Sequence, residues 1–212
     1  MRYSRVIWDF NGTLLDDVAV CIHSADTLLA RYSLPPIATV ERYHEVFGFP
    51  VIDYYRRVGF DFDRLDFKTV ADEWVALYLD EVERAPLRAG ISETVREITR
   101  RGLPQTVLSM TEQKMLLHQL DLVGMREAFD EVVGLDNVYA SSKLALAAAW
   151  REEHPGEHPL YIGDTLHDAE SAGIIGADCL LLTGGHESAS SLASSGLPLL
   201  TSPQEILAYL EG

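Results

Sequence analysis

Short β-rich apolar runs alternate with segments of helical spacing along most of the chain. The runs are Arg5–Trp8, Gln105–Leu108, Glu131–Val133, Leu160–Ile162 and Cys179–Leu182. Each ends in small or polar residues: Asp9, Ser109, Gly134, Gly163-Asp164 and Thr183-Gly184-Gly185. Strands alternating with helices predict an α/β fold, a parallel sheet covered by helices. Open parallel sheets bind ligands outside the carboxyl ends of their strands, so candidate chemistry is sought at those endpoints.

The stretch 17–84 follows a different rule. Ala19–Tyr32, Val40–Phe47, Val51–Val58 and Leu65–Val82 carry helical spacing of apolar residues, and no strand is evident among them. Pro35-Pro36, Gly48-Phe49-Pro50 and Gly59 separate them. An all-helical block after the first strand predicts an inserted cap subdomain over 17–84. The core then comprises 1–16 and 85–212, a Rossmann-like parallel sheet. Hinges are expected near Asp16-Asp17 and Ala85-Pro86. Trp74, Val75, Leu77 and Tyr78 have the spacing of a packed helix face, whereas Tyr54-Tyr55 and Arg56-Arg57, the best substrate-facing candidates of this block, are assigned to a solvated one.

Composition narrows the function classes. The 212 residues carry 17 basic and 33 acidic side chains, a formal charge of −16. Such a surface repels phosphate backbones and anionic lipid, so neither nucleic acid nor membrane is an expected partner. No apolar run approaches the ~18 residues of a membrane span. The N-terminus lacks the pattern of a secretory signal, and the two cysteines, Cys21 and Cys179, lack metal spacing. A cytoplasmic protein is expected.

Two motifs carry chemistry. Asp9-Phe10-Asn11-Gly12-Thr13 follows the first run directly. There an acid can be presented to a ligand held by backbone N–H groups, or Asp9 can cap a turn in which Asn-Gly supplies positive φ. Gly163-Asp164-Thr165-Leu166-His167-Asp168 follows the fourth run. Its two acids can converge on a hard divalent cation such as Mg²⁺, or can cap and charge the start of a helix. Ser109, and Lys143 after Ser141-Ser142, suit phosphate oxygens or an ordinary turn and surface. Lysine is scarce in this chain, with only Lys68, Lys114 and Lys143. Gly184-Gly185-His186 is read as a strand-end turn rather than a nucleotide cradle, and His167 as a helix-entry histidine facing solvent rather than an acid or base beside the metal acids.

As an ordered set, Asp9-Phe10-Asn11-Gly12-Thr13, Ser109, Lys143 and Gly163-Asp164…Asp168…Ala172-Gly173 resemble the four motifs of the haloacid dehalogenase superfamily. Leu122-Val123-Gly124-Met125 and Phe129-Asp130 are similar to its phosphoglycolate phosphatase-like branch. The resemblance implies a Mg²⁺-dependent phosphatase acting on a small phosphorylated metabolite through an aspartyl-phosphate. It makes Asp9 the nucleophile and gives the metal to Asp9, Asp164, Asp168 and the Asn11 backbone carbonyl. Ser109 and Lys143 would neutralise the phosphoryl oxygens, and Gly12 and Thr13 would line the substrate site.

One departure stands out. The family's phosphatases carry a second aspartate two residues after the nucleophile, as general acid and base, where this chain has Asn11. An amide cannot deliver a proton, and general acid–base help is commonly worth ~10²–10⁴-fold. The alternative is therefore a weak or silent relative that binds phosphate or a phosphometabolite. Replacement of Asn11 by Asp is expected to restore cleavage of alkyl phosphates. A second departure, Met110 after Ser109, bears on pocket shape.

Overall fold

A computed structural model describes residues 2–135 and 143–211; Ser141 and Ser142 lie outside them. Six strands form one parallel sheet: β1 (Arg5–Trp8), β2 (Gln105–Glu112), β3 (Glu131–Leu135), β4 (Pro159–Gly163), β5 (Asp178–Leu182) and β6 (Leu199–Leu200). Their order is β3-β2-β1-β4-β5-β6, with β1 and β4 side by side at the centre and Trp8 paired with Ile162. The connection reverses direction across the sheet between these two strands, which opens a crevice at their carboxyl ends.

The alternation of side chains sorts the strands between two cores. Val6, Trp8, Leu160, Ile162, Leu180 and Leu182 enter one apolar cluster, while Ile7, Tyr161, Cys179 and Leu181 enter the other. Both faces are therefore covered, as near-continuous apolar strands require. Helices α7 (Lys143–Glu153), α8 (Leu166–Ile175) and α9 (Ala189–Ala193) pack on the second cluster. Helices α5 (Ile91–Arg100), α6 (Gln113–Leu122) and α10 (Glu205–Glu211) pack on the first.

Between β1 and α5 lie α1 (Val18–Arg31), α2 (Val40–Val46), α3 (Val51–Arg57) and α4 (Phe67–Val82). Their boundaries fall within two residues of those expected from spacing. The chain leaves and re-enters the sheet region by adjacent antiparallel segments: Leu15 bridges Leu87, Asp16 N donates to Pro86 O, and Arg88 N donates to Leu14 O.

Two readings from spacing are corrected, and one strand escaped them. Tyr54 and Tyr55 do not face solvent but pack with Tyr43, Phe60 and Phe67 inside the helical segment, although Arg56 and Arg57 are exposed. β6 carries only two residues, too few for any period to be seen. β2 runs on through Met110, Thr111 and Glu112, residues whose polarity resembles a loop.

Candidate active site

Asp9 stands at the carboxyl end of β1, held by a hydrogen bond from its backbone N to Ile162 O of 2.9 Å. Asp164 directly follows β4, and Asp168 opens α8. Carboxylate oxygens of the three acids lie within 4.8 Å of one another, and all three residues are buried. Lys143, the first residue of α7, reaches into this cluster and donates to both Asp9 Oδ1 and Asp168 Oδ1.

Each acid has distinct partners. Asp164 Oδ1 accepts from Thr13 Oγ1 at 2.7 Å and Oδ2 from the His186 backbone N at 2.7 Å. Asp168 serves both readings that its position allows. Its Oδ2 caps α8, accepting from Thr165 N at 3.0 Å and Thr165 Oγ1 at 2.7 Å. Its Oδ1 is left for Lys143 and, at 3.3 Å, for Tyr161 OH. Burial works against its ionisation, yet Lys143 and these donors hold it below the ordinary carboxylate range. Burial pushes Asp9 well up, helped by neighbouring Asp168 and opposed by Lys143.

Close backbone approach makes room for the acids. A Cβ on Gly12, whose φ is +70°, would lie 2.3 Å from Asp164 Oδ2. A Cβ on Gly163 would lie 2.3 Å from Asp168 Cβ. The cluster offers only carboxylate oxygens, with three acids against one ammonium. Oxygen-only, excess-negative donor sets suit a hard divalent cation, so these residues fit Mg²⁺.

The other expected residues lie around this centre. Ser109 is buried at the end of the apolar part of β2; its Oγ donates to Thr111 Oγ1 at 3.2 Å. Thr111 Oγ1 in turn donates to Asn11 Oδ1 at 2.8 Å. Asn11 Nδ2 donates to Tyr78 OH at 2.7 Å and to Asp17 Oδ2 at 2.9 Å. His167 is half-buried, not solvent-facing, because its ring packs 4.5 Å from Phe49.

Four participants escape the motif reading: Thr111, Asp17, Tyr78 and His186. Asp17 is the N-cap residue of α1, yet its side chain makes no capping bond. It turns inward and accepts from Gly12 N, Asn11 Nδ2, Tyr78 OH and His186 Nε2. Asp17, Cys21 and His186 also place ligand atoms within 4.8 Å, but these donors already fill both Asp17 oxygens.

His186 joins the two parts of the molecule. Tyr43 OH lies 2.9 Å from its Nδ1, the Phe47 ring stands 5.3 Å away, and His44 Nε2 donates to Gly185 O at 2.9 Å. Burial opposes a charge on His186, but Asp17 and Asp164 raise its pKa from 6.5 to about 9. Burial likewise opposes ionisation of Asp17, but His186 and its other donors bring it from 3.8 to about 2.

A pH signature follows. The imidazolium stabilises fully below 6.5 and loses its contribution as the pH rises through about 9. The Asp17 carboxylate stabilises fully above 3.8 and loses its contribution as the pH falls through about 2. A His186→Gln variant is therefore expected to melt well below the native protein at pH 6, with the gap closing by pH 10. Thermal melts across that range check this; a gap independent of pH contradicts the ion pair.

A two-sided parallel sheet that gathers three carboxylates and a lysine beside its central crevice, under helices of the same chain, has the architecture of a Rossmann-like enzyme with a charged cleft. The chain belongs to the haloacid dehalogenase-like hydrolase family, whose model matches residues 6–182. Among curated relatives, phosphoglycolate phosphatase of Rhodobacter capsulatus is 27% identical over 186 residues, covering 85% of this chain and 84% of the relative. The enzyme of that name from Pseudomonas putida is 23% identical, covering 85% and 70%. Among solved structures, a haloacid dehalogenase-like hydrolase from Streptococcus pneumoniae superposes with a TM-score of 0.84 at 20% identity, over 99% of both chains. Protein tyrosine kinase A of Mycobacterium tuberculosis superposes with a TM-score of 0.83 at 19% identity, over 99% of this chain and 98% of that one. One fold thus carries differently described activities, and function has to be argued from the site.

Proposed function

We propose that the chain is a Mg²⁺-dependent phosphatase that hydrolyses a small phosphorylated metabolite, phosphoglycolate-like, through an aspartyl-phosphate on Asp9. The observation that carries this is the buried convergence of Asp9, Asp164, Asp168 and Lys143 at the carboxyl ends of the central strands. The names of the curated relatives support the substrate class. Asp9, Asp164 and the Asn11 carbonyl would hold Mg²⁺, with Asp168 beside them, and the bound ion would supply charge neutralisation between carboxylate and phosphate.

In this reading an Asp9 oxygen bonds to phosphorus as the bond from phosphorus to the ester oxygen breaks. Water then attacks the same phosphorus as the bond from phosphorus to Asp9 breaks, restoring the carboxylate; one water proton stays on the released phosphate and the other neutralises the departed oxyanion through solvent. Lys143 screens the charge on the transferring group, and the Ser109 hydroxyl serves its oxygens. Thr13 acts through Asp164, which it orients. The Asn11 amide cannot transfer a proton to the leaving oxygen, so rates should rise steeply as the leaving group becomes less basic.

Helices α1–α4 act in this proposal as a cap over 17–84. The Tyr43–His186, His44–Gly185 and Asn11–Tyr78 contacts hold it against the sheet region. Substrate entry requires these contacts to break and re-form. No described helix is long and apolar enough to cross a membrane. A cytoplasmic setting is part of the proposal and draws support from the two buried free thiols.

Asn11 also favours a second reading, a protein that binds phosphate or a phosphometabolite and turns over slowly. Phosphate release from a panel of phosphorylated metabolites, beside calorimetric Mg²⁺ titration, separates the two. Turnover that requires Mg²⁺ supports the phosphatase, and binding without turnover supports the alternative. Asp164→Ala is expected to abolish most Mg²⁺ binding; undiminished affinity contradicts the metal assignment.

A further inference from the structure

We infer that Asn11 and Asp17 form a matched amide–carboxylate pair, with Asp17 a positioning residue that sets the nucleophile loop through Asn11 and Gly12. This role rests on the phosphatase reading for its catalytic readout, but the pairing stands on hydrogen-bond geometry alone.

Every polar atom of the pair has an assigned partner. Asn11 has two N–H donors and one carbonyl. The donors go to Asp17 Oδ2 at 2.9 Å and Tyr78 OH at 2.7 Å, and the carbonyl accepts from Thr111 at 2.8 Å. Asp17 only accepts: Oδ1 from Gly12 N at 2.8 Å and His186 Nε2 at 3.2 Å, Oδ2 from Asn11, from Tyr78 OH at 2.7 Å and from Cys21 Sγ at 3.7 Å. The direction of every bond is then fixed, because Tyr78 spends its one proton on Asp17 and must accept from Asn11. Asp17 is 1% exposed and Tyr78 is 7% exposed, so water offers little substitute for a lost partner.

The consequence concerns the residue two positions after the nucleophile. A carboxylate at 11 would face the Asp17 oxygen across a 2.9 Å contact that now holds a hydrogen bond. The simple expectation from the sequence, that Asn11→Asp restores alkyl-phosphate cleavage, is therefore revised. A carboxylate at 11 needs an amide at 17. With both changed, Asn at 17 donates to Asp at 11, Tyr78 donates to Asp at 11, and the new Asn carbonyl still accepts from Gly12 N and His186. The second amide proton at 17 goes to the Tyr78 oxygen, so the same contacts persist with the three bonds among 11, 17 and Tyr78 reversed.

The pair also lies where it can move the chemistry. Asn11 and Gly12 are the second and third residues after Asp9, and the Gly12 N–H is oriented by Asp17. Tyr78 belongs to α4, so the same carboxylate ties this loop to the helical segment. Disturbing it should alter the alignment of Asp9 more than the grip on substrate.

The test compares native protein, Asn11→Asp, Asp17→Asn and the doubly substituted chain by thermal melting and by kcat and KM for an aryl phosphate. Each single change is expected to lower Tm by about 5 °C or more. It should also lower kcat about tenfold or more, with KM changed far less. The double change should recover part of both losses, with the Asp17–His186 ion pair still missing, and that partial recovery is a non-additivity that independent sites would not give. A merely structural role would restore Tm without restoring kcat. If Asp17→Asn fails to fold, its rescue by added Asn11→Asp is the same positive result. Additive losses, or a single Asn11→Asp as stable as the native protein, overturn the pairing. If no variant and no native protein releases phosphate, the phosphatase reading fails, and the melting cycle still decides the pair.

Discussion

Replacing Lys143 by methionine is expected to lower both stability and turnover severely. The ammonium lies between Asp9 Oδ1 and Asp168 Oδ1, and Lys143 itself is 4% exposed. Burial opposes its charge, but the two carboxylates raise its affinity for the proton well above the ordinary value. Methionine keeps much of the stem and removes the charge, leaving two buried carboxylates against each other. Breaking a buried ion pair from one side costs about 3–5 kcal/mol. For a chain of this size that is a fall in Tm of roughly 10 °C. Turnover should fall by ~10²–10³, the usual effect of deleting one preorganised charge at a phosphoryl group. Saturating Mg²⁺ should narrow the stability gap, because it returns positive charge to the same carboxylates. Melting curves with and without Mg²⁺ check this; an unchanged Tm in the metal-free variant contradicts the placement of Lys143.

An Asp9→Asn variant should behave in the opposite way with respect to stability. Burial, reinforced by Asp168, raises the Asp9 pKa well above 3.8, against the pull of Lys143. A carboxyl whose folded pKa is raised destabilises the fold once the pH exceeds its unfolded value, and increasingly so up to the folded one. The neutral amide removes that penalty and can still accept from Lys143. The metal-free variant is expected to melt at or above the native temperature at pH 7, with the difference vanishing near pH 4. Its turnover should fall by ~10⁴-fold or more, since the residual rate of a site stripped of its nucleophile comes from binding and electrostatics alone. A protein that becomes inactive yet no less stable shows a residue kept for chemistry at the expense of the fold. Substantial residual turnover would remove Asp9 from the nucleophile's role.

What could be read in the sequence was local. Asp9 and Asp164 each follow an apolar strand directly, with Asp168 four residues further on in the first turn of α8, and a parallel sheet brings such endpoints together however far apart they lie in the chain. Lys143 stood out because lysine is rare in this chain. The helices of 17–84 were legible for the same reason, since apolar spacing repeats within each one. What escaped depends on contacts between segments. Asp17 looks like a helix cap and is instead an internal acceptor. Tyr78 looks like one member of a packed helix face, and only its hydroxyl reveals the second task. His186 follows two glycines that suggest a turn, and its importance comes from Tyr43 and Asp17, each more than a hundred residues away. Tyr54 and Tyr55 share a helix turn with two exposed arginines, so the local pattern could not show which neighbours would bury them. Thr111 sits in a polar continuation of β2 that resembles a loop until Ser109 and Asn11 are placed beside it.

The central claim is that Asp9 carries the phosphoryl group between two half-reactions. It is tested most directly by mixing the protein with Mg²⁺ and an aryl phosphate, quenching with acid within one turnover, and sequencing the tryptic peptide spanning 6–31 by mass spectrometry. The expected result is one phosphoryl group on Asp9, lost on treatment with hydroxylamine as an acyl phosphate must be, and absent from Asp9→Asn. Phosphate release with no modified peptide at any time within the first turnover, or a phosphoryl group on another residue, would contradict it.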